Sequence, residues 1–280
     1  SCALFDATGN LVANAPHVPV HLGSMSEAVR TVARLNAGRI APGDAFMLNA
    51  PFNGGTHLPD VTVITPVFDE DGSDILFWVG SRGHHADIGG RTPGSGPPDS
   101  THIEDEGVVI DNFRLIAAGT LREAETRALL ASGRYPCRNI DQNMADLAAQ
   151  IAANETGIRE VRKMIATHGL STVLAYMGHV QDNAEASVRR VIGRLENGAN
   201  TYPLDDGSRI AVSVRVDARG GRGGDRLHRH LAPASRQLQR ARRHRHGGGA
   251  VCLPHAGGPR DPAERGVPET AERSCCRKDP

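Results

Sequence analysis

Aromatic residues are scarce in this 280-residue sequence, at 4% with a single Trp, and none occurs beyond Tyr202. No run approaches ~18 consecutive apolar residues, so no helix written here spans a bilayer, and a membrane partner is not expected. The start, SCALFDATGN, lacks the basic and apolar regions of a signal peptide. It also lacks an initiator Met, so the N-terminus reads as cut. The five cysteines (Cys2, Cys137, Cys252, Cys275 and Cys276) form neither a disulfide framework nor a CxxC metal pattern. A reducing, cytoplasmic setting is therefore expected. The chain has no GxxxxGK[ST] phosphate loop, no GxSxG elbow and no GxGxxG after a strand. Any nucleotide-dependent step would be carried elsewhere.

The net charge of zero hides two opposite halves. Residues 219–280 hold 13 Arg and one Lys against 6 acids, while the rest of the chain holds 18 basic and 26 acidic groups. Such asymmetry often marks a nucleic-acid arm. Here the basic stretch has no aromatic residue for base stacking and no hydrophobic period, so it offers only salt-sensitive attraction to phosphate. It cannot bury enough apolar area to offset chain entropy of ~1–2 kcal/mol per residue. The expectation is a fold-bearing region over 1–217 and a disordered tail over 218–280, with no specific nucleic-acid partner.

Within 1–217 the pattern predicts an α+β fold. CALFDATGNLVA reads as a hairpin turning at Thr8–Asn10. Ser24 or Ser26 can cap a helix over about 26–36. A short strand follows in APGDAFMLNAPF. VTVITPVF (61–68) and ILFWVGS (75–81) form the clearest hairpin, joined by DEDGSD. EGVVIDNFRLIAAG gives another short strand or two. From Ile140 the period becomes helical, with Met144, Leu147, Ile151, Ile158, Val161 and Ile165 as the apolar stripe. One helix is predicted over 140–167 and a second over about 170–196, together a long antiparallel helical hairpin. RIAVSVRV (209–216) opens a new strand.

The hairpin places chemistry. If its strands pair about the 71–72 turn, facing residues sum to about 143–144, which brings Asp60 near Gly83 and His84, and His57 near Ala86 and Asp87. GGTHLPD (54–60) and GHHADIGG (83–90) then converge at one end of a rigid ribbon. Imidazole and carboxylate suit Zn²⁺, Mn²⁺ or Fe²⁺, and two His with one carboxylate leave positions open for water or substrate. The bland alternative is a hydrogen-bonded polar loop, which would fit either segment alone. His17 and His21 can reach the same pocket but read as structural. His168 reads as a helix C-terminal residue.

SCALFDATGNLVA, HVPVHLGSM, GGTHLPDVTVITPVF, SRGHHADIGG, TPGSGPPDSTHIEDEGVVI, NMADLAAQIAANETG and LAYM together resemble the hydantoinase B/oxoprolinase family, in order, from residue 1 to about 216. Family members are roughly twice this length or more. The resemblance implies a subunit that works with a nucleotide-binding hydantoinase A-type partner, which holds ATP and activates the carbonyl substrate. The implied reaction is ATP-dependent opening of a small cyclic amide. In the carboxylase branch of the family the HxxD segment and the following histidine bind a metal, and these fall on His57, Asp60 and His84; His85 and Asp87 are candidate catalytic residues for proton transfer or supports of the ligands. The chain has Ala50 where the family usually has Asp, and Gly96 where a larger residue is commoner. A rival implied by the same resemblance is a subunit of an ATP-dependent ketone carboxylase. A second is an inactive fragment with a non-specific basic tail.

The tail does not match the family. One permitted set of codons for RDPAERGVPETAE (260–272), read one nucleotide later, spells EIPLNEGCLKPL, a motif of the kind the family carries there. A frameshift near 217–225 is the resulting hypothesis. Resequencing that finds one selected, uninterrupted frame would remove it.

Overall fold

The computed structural model describes residues 1–15, 18–94, 96–205, 207, 209–217, 222–230 and 272–275, with backbone alone for residue 22 and from residue 217 onward. The described residues divide into two units, Ser1–Met177 and the part from Gly178 on.

The first unit is built on one antiparallel sheet. Its strands are β1 (Cys2–Asp6), β2 (Leu11–Asn14), β3 (Ala45–Leu48), β4 (Asp60–Phe68), β5 (Ile75–His84), β6 (Phe113–Ala117) and β7 (Thr120–Leu121), in the order β2-β1-β5-β4-β3-β6-β7. Helix α1 (Pro19–Leu35) covers one face, where Met25, Ala28, Val29 and Val32 pack on Phe5, Phe46, Leu48, Ile64 and Trp78. Helix α2 (Glu123–Leu130) and α3 (Ile140–His168) cover the other. There Leu130 and Leu147 meet Met47, Val61 and Val63, and Ile158 and Val161 meet Val67, Phe77 and Val79. A strand sandwiched between two helical layers buries both sets of side chains. That is why β4 reads as the unbroken run VTVITPVF rather than an alternation, and why all but its last residue are buried.

The β4–β5 register pairs Asp60 with His84, Val61 with Gly83 and Thr62 with Arg82, and continues to Val67 with Phe77. The expected sum of about 143–144 is therefore the one found. Helix α1 begins earlier than expected. Pro19 opens it, with φ already set for the first turn. Ser24 is not a cap; its hydroxyl donates back to Val20 O at 2.8 Å inside the helix.

The buried stripe of α3 also differs from expectation. Asn143, Leu147, Gln150, Asn154, Ile158 and Val161 are buried, whereas Ile140, Met144, Ile151 and Ile165 are only partly so. Helix α4 (Leu170–Ile192) follows α3 after Gly169. Only its first two turns belong to the first unit, where Val173 and Met177 join Ile158 and Val161. The expected antiparallel helical hairpin is thus carried at its joint.

The second unit holds the rest of α4 and a four-stranded antiparallel sheet. Its strands β8 (Gly198–Pro203), β9 (Arg209–Asp217), β10 (Arg222–His230) and β11 (Glu272–Cys275) run in the order β11-β10-β9-β8. Of the tail expected over 218–280, the backbone of β10 and β11 is described, with ladder pairs such as Gly223 with Val216. The remainder of 218–280 lies outside the described residues, as does His17. Among the described residues no helix is long and apolar enough to cross a membrane.

Candidate functional site

The turn between β3 and β4 positions the first half of the site. Asn49, fully buried, donates its side-chain amide to Leu58 O (2.8 Å) and Val108 O (3.0 Å) and accepts from Ile110 N (2.6 Å). Gly55 sits on this latch so closely that a Cβ would lie 2.2 Å from Asn49 O, so no other residue fits without moving backbone. Leu58, 1% exposed, anchors the loop in the core. A turn in which Asp60 N donates to His57 O (3.1 Å) then folds His57 back over Asp60.

The second half arrives on β5. Opposed residues in an antiparallel pair share a face, so Asp60 and His84 point to the same side of the sheet. The His57 and His84 rings lie 5.1 Å apart at 52°. His57 therefore meets His84, not Ala86 and Asp87 as the strand sum implied, because the 57–60 turn leaves the ladder.

Asp60 is the centre of the cluster and is 1% exposed. Its Oδ2 accepts from Thr56 Oγ1 (3.0 Å) and His21 Nε2 (3.2 Å), and His57 Nδ1 lies 2.9 Å from the same oxygen. Its Oδ1 is buried and has no hydrogen-bond partner among the described residues. Burial pushes the carboxyl up, but the hydrogen bonds and charges of His21 and His57 outweigh it and hold Asp60 well below the usual carboxylate range. On the same face Arg82 donates from Nε to Thr62 Oγ1 (2.7 Å) and from Nη1 to Ser24 Oγ. Burial pulls this guanidinium down to about 10, opposed by the charge of Asp60.

His85 and Asp87 are not brought into this cluster. The two-residue period of the strand sends His85 to the opposite face, where it is 1% exposed. Asn143 Nδ2 donates to its Nδ1 (3.0 Å), and its Nε2 donates to Gln150 Oε1 (3.1 Å). Asp87 accepts from Gly89 N, Arg138 N and Arg138 Nη1. Burial pushes its carboxyl up, and these bonds bring it below its ordinary value. Both residues tie the 83–90 loop to the start of α3. Gly89 and Gly90 complete the tie at φ +80° and +93°, where Cβ atoms would lie 2.3 Å from Tyr135 O and 2.6 Å from Glu106 O.

His21 and Thr56 are the members that sequence reasoning did not assign to the cluster. A helical face shared with Met25, Ala28 and Val32 was the available signal for His21. Ala50 is buried beneath the turn, and its carbonyl accepts from Asn53 N and Gly55 N. Among the described residues no group of three or more His, Cys, Asp or Glu is already arranged to hold a metal ion. The donor types nevertheless fit a divalent cation: two neighbouring imidazoles and a buried carboxylate, one of whose oxygens has no partner among the described residues.

A family model described as hydantoinase B/oxoprolinase matches residues 1–226. The chain belongs to that family. It is 44% identical over 228 residues to the 5-oxoprolinase of Saccharomyces cerevisiae, covering 77% of this chain but 18% of the yeast protein. It is 30% identical over 226 residues to the caprolactamase subunit beta of Pseudomonas jessenii, covering 79% of this chain and 38% of that subunit. The crystal structure of the ATP-dependent caprolactamase of P. jessenii superposes with a TM-score of 0.69 at 30% identity over 78% of this chain and 38% of that one. A nucleotide-free acetone carboxylase structure superposes at 0.64 with 20% identity, over 76% of this chain and 30% of that one, a likeness of fold alone. The chain thus spans less than a fifth of the yeast family member and well under half of the bacterial one.

Proposed function

We propose that this chain supplies the metal-binding end of a β-sheet to an ATP-dependent enzyme that hydrolyses a small cyclic amide, together with a nucleotide-binding A-type subunit. The observation that carries the reading is the juxtaposition of His57, Asp60 and His84: the two rings lie 5.1 Å apart, His57 Nδ1 lies 2.9 Å from Asp60 Oδ2, and Asp60 pairs with His84 across the ladder. Family membership and the names of the related proteins support the reaction class: 5-oxoprolinase and caprolactamase both denote opening of a cyclic amide. The subunit designation of the caprolactamase relative supports a partner chain, and its title supports ATP use.

His57, Asp60 and His84 would hold the cation, which when bound would acidify a water or polarise an amide carbonyl. The remaining work falls to the chain. Asp60, kept ionised by its histidine neighbours, supplies fixed negative charge. Thr56 and His21 hold its Oδ2 in place. His84, exposed at the strand end, faces the solvent from which substrate arrives. His85 and Asp87 hold the second loop against α3 and fix where His84 stands.

The test is metal analysis of the purified chain, dialysed against Zn²⁺ or Mn²⁺, beside a His57→Ala, His84→Ala double variant. About one metal per wild-type chain, lost in the variant, is expected. Equal and negligible metal in both would remove the site.

A further inference from the structure

We propose that His21 is a positioning residue that turns the free oxygen of Asp60 toward the cation, an inference that rests on the site proposed above. Three groups crowd one oxygen of this carboxylate. Thr56 Oγ1 and His57 Nδ1 reach Oδ2 from the turn that precedes Asp60, and His21 Nε2 reaches it from helix α1. Thr56 and His57 travel with the loop; His21 alone belongs to a separate, packed element.

An ionised carboxylate can only accept, so Nε2 of His21 carries the hydrogen of that contact. Its Nδ1 lies 2.7 Å from Ser1 Oγ, and the Ser1 hydroxyl is the donor there. The ring is 7% exposed and held at both nitrogens, so it cannot turn without breaking a buried hydrogen bond. It therefore fixes the rotation of the carboxylate about its own axis. Oδ2 faces α1, and Oδ1, buried and without a partner among the described residues, is left as the oxygen available to a ligand. His21 is not itself a ligand, because neither ring nitrogen has a lone pair to spare. A buried carboxylate oxygen without a partner is costly, and a bound cation would offset that cost.

The experiment measures Zn²⁺ and Mn²⁺ affinity of the full chain by competition with a chromogenic chelator, for wild type, His21→Leu, His21→Gln and His57→Ala. Support of this kind for a ligand is worth about 10–100-fold in affinity. His21→Leu should weaken binding by that factor. His21→Gln, whose amide can donate toward the same oxygen, should recover most of it. Nitrogen-15 NMR of the wild type should show His21 protonated at Nε2 and not at Nδ1, a signature that loss of packing alone would not produce. Urea midpoints report whether each variant is folded, and the wild-type tautomer decides the matter should His21→Leu fail to fold. Wild-type protein that binds no cation overturns the site and this inference with it. Cation bound by wild type and His21→Leu within twofold, or a His21 protonated at Nδ1, overturns this inference alone.

Discussion

Replacing Gln150 with Leu tests whether buried amides, rather than the apolar stripe, fasten α3 to the sheet. Gln150 lies in the middle of α3 and is 9% exposed. Its Nε2 donates to Val61 O (2.9 Å) and Ser81 O (3.2 Å), and its Oε1 accepts from His85 Nε2 (3.1 Å). Leucine has nearly the same volume and a better helix propensity, so neither a cavity nor the backbone is at issue. What disappears is a partner for two strand carbonyls and one imidazole N–H. Each net loss is worth about 1 kcal/mol, which gives about 3 kcal/mol in all, since the newly buried methyl groups only partly compensate the orphaned N–H. For a unit of this size that is roughly 6–12 °C in Tm. The assay is urea unfolding followed by circular dichroism. Gln142→Leu serves as control: that residue sits on the same helix, but its amide meets only Asp146 at the exposed surface. It should change stability by no more than about 0.5 kcal/mol. If Gln150→Leu costs as little as the control, the amides are passengers and the reasoning is wrong.

Two further outcomes follow from the same face of the sheet. Burial pulls His85 below its ordinary value, and the bond to Gln150 only partly restores it. Its neutral form is therefore favoured in the fold, and its contribution to stability is complete above the unfolded histidine pKa of about 6.5 and lost as pH falls through the folded one. Unfolding free energies of wild type and His85→Gln between pH 8 and 5 should diverge in slope below about pH 6.5, by at most about 1.4 kcal/mol per pH unit; parallel curves would refute it. Burial, aided by the charge of Asp87, also pushes the Cys137 thiol up to about 12. Cys2 is exposed. Peptide mapping after iodoacetamide at pH 8 should show Cys137 alkylated at least about 100-fold more slowly than Cys2, and comparable rates would mean that Cys137 is not held as described.

Much of the site was legible because a hairpin is a local object. A polar DEDGSD turn between two apolar runs fixes the centre of pairing, the centre fixes the register, and the register alone puts Asp60 opposite His84. What was not legible depends on other elements. Asn49 looks like a loop residue until Val108 and Ile110 arrive beside it from sixty residues away. The amides of α3 interrupt its apolar pattern and so carry no periodic signal of burial. A search for apolar periodicity selects Ile140, Met144 and Ile151 and passes over Asn143, Gln150 and Asn154, although these three share a helical face with Leu147, Ile158 and Val161. The carbonyls they satisfy, on Val61, Val63 and Ser81, could not be known before the sheet was.

The histidine doublet shows how one strand end can serve two purposes. Successive residues on a strand face opposite layers, so His84 and His85 differ in environment for a geometric reason. His84 stays exposed and meets His57 on the side of α1; His85 is buried and wired to Asn143 and Gln150 on the side of α3. The proposed chemistry falls to the first because the second is buried and hydrogen-bonded at both ring nitrogens. His85 fixes the height and tilt of the strand end against α3, Asp87 and Arg138 fix the loop beyond it, and His84 inherits a defined position. A one-residue slip would exchange the two faces, burying the exposed ring and exposing the structural one. The β4–β5 register is thus what separates the proposed ligands from the scaffold, and an unbroken apolar strand, buried on both faces, holds it.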